Sequence, residues 1–189
     1  METIIEGLKQ GIMLILTFDK EVMSITLFTL KITGTATLIS IVIALPLAMI
    51  LALKEFPGRR LIISLANLGM GLPPTVVGLF VSLMLWRSGP LGQLKIMYTP
   101  TAIVIAQTVI STPIILGLST AALPQIDKKL RWQIMSLGTT PWQMLLLMLK
   151  EARYSLLAAI MAGFGGSISE VGASMMVGGN IKGYTRVLT

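Results

Sequence analysis

Glu170 is the residue with the most chemistry in an otherwise quiet stretch, SISEVGASMMVGGN, residues 167–180. A carboxylate at membrane depth is costly, and one found there usually faces a protein interior or a water-filled path. Around it stand Ser167, Ser169, Ser174 and Asn180, hydrogen-bonding groups able to meet a passing oxyanion, and Gly172. Serine in a membrane helix more often bonds to a neighbouring helix, and that is the favoured reading of these hydroxyls. Seven of the chain's 18 glycines fall within 163–183, a density that permits close approach or non-helical backbone. Two roles stand for Glu170 itself. It belongs to a pathway or gate, or it anchors backbone amides or a basic partner.

Other chemistry is excluded by what the chain lacks. It has no cysteine and no histidine, which removes disulfides, thiol nucleophiles, imidazole acid–base catalysis and Cys/His metal sites. No GxxxxGK[ST] phosphate loop occurs. GGSIS, 165–169, lacks the last glycine of a nucleophile elbow. No catalytic residue, metal site or cofactor is therefore assigned to this chain, and it is not expected to be an enzyme.

The elements that carry these residues are those of a membrane protein. Of 189 residues 54% are hydrophobic and only 12% charged, half the charge of a typical soluble domain. The net charge of +7 comes without a basic stripe and with only 6% aromatic residues, so nucleic acid is not an expected partner. Uncharged runs cover 32–53, 61–86 and 96–126. About 20 helical residues cross a bilayer, so each run is long enough. Spans are expected near 21–53, 61–86, 101–123 and 145–166, the last with Lys150, Glu151 and Arg153 near its start. Gly69, Gly71, Pro73 and Pro74 interrupt the second. Residues 1–20 are too mixed to span and read as an interfacial helix.

Lysine and arginine set the orientation. The segments 54–60 and 127–153 carry eight, against five on the opposite side with the tail left out. The first two segments are therefore expected in the cytoplasm. Within the second, Ile126, Leu130, Ile134 and Leu137 recur at helical spacing, and Asp127 suits an N-cap. Gly138 is placed to stop that helix, and Thr140 and Pro141 to start the next. A short amphipathic helix, a glycine turn and a long returning helix follow from this pattern. The plain reading is a surface helix joining two spans.

That helix–glycine–helix, WQIMSLGTTPWQMLLLMLKEA at 132–152, resembles the coupling loop of ABC importer permeases. Leu137, Gly138, Pro141 and Trp142 fit the molybdate-like branch, whereas Trp132, Gln133 and Ile134 replace its Glu-Ala-Ala and Lys150–Glu151 its Leu-Pro. AGFGGSISEVGASMMVGGNIKGYTRVLT, 162–189, resembles the tail of oxyanion permeases, above all the tungstate type, as do LGMGLPPTVVGLF (68–80) and SGPLG (88–92). The resemblance, running from about Glu21 to Thr189, implies an all-α integral membrane permease core of four to five helices. Permeases of this branch continue with a further helix, so the last one is expected to be missing here. It implies ATP-driven import of an oxyanion, tungstate first and molybdate as the alternative, in a prokaryotic inner membrane. Implied partners are a second copy of the chain, cytoplasmic ATPase subunits that bind ATP and Mg, an extracytoplasmic binding protein, and lipid. Leu130, Trp132, Ile134, Leu137, Gly138, Thr140, Pro141 and Trp142 would then meet the ATPase, and the 163–183 segment would line the pathway. Two competing readings are a secondary transporter or channel, from the interrupted segments 69–78 and 163–179, and a membrane anchor. The absence of an internal repeat and the few intramembrane ionisable groups argue against the secondary transporter.

Overall fold

The computed structural model describes residues 6–7, 11, 13, 17–123, 136 and 138–188. Its helices are α1 (Lys20–Leu53), α2 (Arg59–Gly71), α3 (Pro74–Leu85), α4 (Pro100–Ala122), α5 (Pro141–Glu151), α6 (Arg153–Ile168) and α7 (Gly172–Gly178), with a 3-10 turn at Gly92–Leu94. There is no strand among the described residues. Most of the interfacial stretch expected in residues 1–20 lies outside them.

Local chemistry explains the ends of these helices. The Asp19 carboxylate caps α1, accepting from the N–H groups of Glu21 and Val22 at 3.0 and 3.1 Å. Thr140 caps α5 in a reciprocal box: its Oγ1 accepts from Gln143 N, and Gln143 Oε1 accepts from Thr140 N at 2.9 Å. Pro141 is the first residue of that helix, where the sequence put a start, and Gly138 has φ +68°; the helix expected at 127–137 lies almost entirely outside the described residues.

Residues 61–86 do not form one rod. α2 and α3 meet at 105°. Proline at 73 and 74 removes two N–H donors that a continuous helix needs. Leu72, ahead of the first proline, is forced into extended backbone, φ −70° and ψ 133°. The fourth stretch, 145–166, crosses Ala152 between α5 and α6. There the chain nearly continues: Ala152 N bonds Met148 O and Leu156 N bonds Ala152 O, both at 2.9 Å. α6 and α7 then part by 59° around residues 169–171.

α4 is the post around which the rest is built, in contact with α1, α2, α3, α6 and α7. α1 lies alongside it through small residues, Ala36, Ser40, Ala44 and Ala48, all fully buried. Such residues let backbones approach where lipid supplies no hydrophobic drive. One apolar cluster joins Ile32, Val77, Val81, Ile103, Ala173 and Val177 near the end where α1 begins. A second joins Ala44, Leu51, Ala66, Ile115, Leu123 and Leu156 towards the other end. α1 and α4 are each long and apolar enough to cross a membrane, and each bent pair, α2–α3 and α6–α7, passes the same test as a unit.

Candidate functional site

Two helices, α6 and α7, bring buried serines of 163–183 together with α4. Ser167, in the last turn of α6, is fully buried and donates to the carbonyl of Gln107 at 3.2 Å. Ser174, in the first turn of α7, is equally buried and accepts from Gln107 Nε2 at 3.4 Å. The same Gln107 carbonyl accepts from Ser111 Oγ at 2.8 Å. Ser111 Oγ then lies 2.6 Å from Ser40 Oγ on α1, which also accepts from Thr112 at 3.1 Å. A hydroxyl-and-amide layer thus crosses α1, α4, α6 and α7 where the two apolar clusters meet. In this arrangement Ser167 and Ser174 bond helices to each other.

Glu170 lies in the break between α6 and α7 and is half-buried. Its Oε1 accepts from the N–H of Ala173 at 2.9 Å. Glu170 stands just ahead of the N-cap residue Val171, and this bond satisfies one of the four orphan donors of the helix start. A negative charge also suits that end of a helix. α7 is pressed hard on α3 here: a β-carbon at Gly78 would lie 2.5 Å from Ala173 Cα, so only glycine fits the contact.

Ser169 and Asn180 stand apart. Ser169 is exposed and bonds back to Gly166 O at 3.2 Å. Asn180 is exposed beyond the end of α7 with φ +48°. Gly179, with φ +73°, ends α7, and the ring of Tyr98 fills the space beside it. Lys182 Nζ pairs with Glu21 Oε1 at 2.9 Å and Arg186 approaches the same oxygen at 3.6 Å, which ties the tail to the start of α1. Leu188 N donates to Thr29 Oγ1 at 2.9 Å and strengthens that tie. Beside this end opens a groove of about 850 Å³ lined by Trp86, Arg87, Gln93, Lys95 and Tyr98.

Of the residues read as an ATPase-facing loop, Gly138 and Thr140 have the turn and cap geometry given above. Leu130, Trp132, Ile134 and Leu137 lie outside the described residues, as do the side chains of Pro141 and Trp142.

Residues 44–188 match the family model described as the binding-protein-dependent transport system inner membrane component. The chain belongs to that family. It is an ABC transporter permease, a multi-pass inner-membrane subunit and not itself the enzyme. The permease is 36% identical to the tungstate uptake system permease protein TupB of Peptoclostridium acidaminophilum over 189 residues, all of this chain and 83% of the relative. It is 37% identical to a probable anion ABC transporter permease protein of Haloferax volcanii over 171 residues, 88% of this chain and 74% of the relative. The molybdenum transport system permease protein ModB of Haemophilus influenzae is more distant, 28% identical over 85% of this chain and 73% of its own length.

Sequence reasoning passed over Gln107. The signal was available: the one carboxamide in the apolar 101–123 part of a 31-residue uncharged run, with Ser111 four residues on along the same face. It went unread because an amide carries no charge to raise the question that Glu170 raised.

Proposed function

We propose that the permease imports a tetrahedral oxyanion of the tungstate class, driven by ATP hydrolysed on a separate subunit. The observation that carries this is the 36% identity, over the whole chain, to a tungstate uptake permease. Molybdate is the second reading, favoured by the more distant ModB relative. The working unit is a pair of these chains, with cytoplasmic ATPases that bind ATP and Mg and an extracytoplasmic binding protein that delivers the anion. Leu130, Trp132, Ile134, Leu137, Gly138, Thr140, Pro141 and Trp142 form the ATPase contact. The left-handed turn at Gly138 and the capped start of α5 support that role, because they offer a fixed corner for a partner to grip.

The pathway runs beside the α6–α7 break. Ser169, Glu170, Gly172 and Asn180 build its wall, and the buried Ser167 and Ser174 brace that wall from behind. Within it Glu170 organises backbone and does not bind cargo, since a carboxylate repels a dianion and already holds the N–H of Ala173. The groove at the start of α4, with exposed Arg87 and Lys95, is an extracytoplasmic face open to the binding protein. Uptake of labelled tungstate in the presence of excess molybdate, and the reverse, decides the cargo. Tungstate uptake that molybdate fails to dilute supports the first reading, and equal mutual competition overturns tungstate selectivity.

A further inference from the structure

We infer that Gln107 is a positioning residue that holds α6 and α7 at their bend, and that import depends on this hold. The inference rests on the transport reading above. Ser167 ends α6 and Ser174 begins α7, so they stand on opposite sides of the 59° break. Both are bonded to Gln107, one through its carbonyl and one through its side-chain amide. Gln107 is itself only 2% exposed and lies in the middle of α4, the helix that touches most of the others. A single residue of the central post therefore fixes both arms of the hinge.

The free half of the amide says more. Gln107 Oε1 is buried and has no hydrogen-bond partner among the described residues. A buried acceptor left unpaired is costly, and a residue kept only for packing would be replaced without loss by an apolar one. The Ser174 hydroxyl can accept from Nε2 or donate to Oε1. A half-turn of the carboxamide therefore keeps the bond to α7 while exchanging the free atom from acceptor to donor. Either orientation of the carboxamide holds α7 to α4. Glu170, bonded to Ala173, holds the start of α7 on the other side of the break.

The absence of cysteine allows two spin labels to be placed cleanly, at exposed Met161 on α6 and exposed Met176 on α7. The labelled chain, diluted with unlabelled chain, is reconstituted with its ATPase and binding protein. Inter-label distance, thermal stability, ATP hydrolysis and anion uptake are then measured for wild type, Gln107→Leu, Ser174→Ala and the double variant. Ser174→Ala, the smaller change, carries the test where Gln107→Leu fails to insert. Expected are a broadened distance in each single variant, uptake lower by about tenfold, and continued ATP hydrolysis. The double variant should regain thermal stability, because both polar partners are gone, yet still import about tenfold less than wild type. Uptake that recovers together with stability reduces Gln107 to a packing contact and overturns the inference. So does a wild-type distance distribution in the single variants when wild-type uptake is normal. If the wild type imports no oxyanion while the distance still broadens, the transport reading falls and the hold on the bend stands.

Discussion

At the residue scale, a carboxylate and an amide divide the labour at the α6–α7 break. Glu170 holds the N–H of Ala173, and Gln107 holds the two serines. Replacing Glu170 with alanine removes the acceptor at the start of α7 and should cost about 1 kcal/mol, the usual net worth of one hydrogen bond. Glutamine retains an acceptor oxygen and should keep most of the stability. Thermal unfolding of both variants, with uptake measured at a saturated binding protein, reads the difference. An alanine variant as stable and as active as wild type would remove Glu170 from the account. Glu170 was legible in the sequence because a charge in an apolar run demands a reason. Its partner was not, because a backbone N–H leaves no mark in a pattern of side chains. The serines were read as interhelical contacts, but their shared partner sits 60 and 67 residues away on α4.

At the element scale, sequence shows where helices break and packing decides at what angle. Two prolines announce the break between α2 and α3. The 105° turn depends on what each half then meets: Gly69 of α2 lies against Pro113 of α4, and Gly78 of α3 against Ala173 of α7. Gly78→Leu should push α3 off α7 and destabilise the permease by about 1–3 kcal/mol, as overpacking does. Gly34→Ala, where a β-carbon meets nothing within 4 Å, is the matched control and should be neutral or slightly stabilising. A loss of thermal stability equal in both would refute the close α3–α7 contact. On the other side of the molecule, a β-branched side chain at Gly138 is strained by φ +68°. Gly138→Val should insert and express while ATPase retention and uptake both fall. Undiminished co-purification and uptake would argue against a coupling role for that turn.

At the scale of the whole molecule, two apolar clusters are stacked along α4 with a polar layer where they meet. Hydropathy reveals the long apolar runs but not this layering, which depends on the parallel alignment of α1 and α4 through Ser40 and Ser111. Orientation follows from charge. Lys54, Arg59, Arg60, Lys150 and Arg153 lie by the ends of α1, α2, α5 and α6, and positive residues favour the cytoplasm. A cysteine at Gln93 should react with an impermeant reagent in intact cells, and one at Glu55 only after lysis. The reverse pattern would invert the permease in the membrane. The most direct test of the whole account is uptake of labelled tungstate into vesicles holding the permease, with and without its ATPase, the binding protein supplied outside. Accumulation that needs the ATPase, the binding protein and ATP together is the predicted result; uptake of equal rate without ATPase or ATP would contradict it and make the chain a secondary transporter or channel.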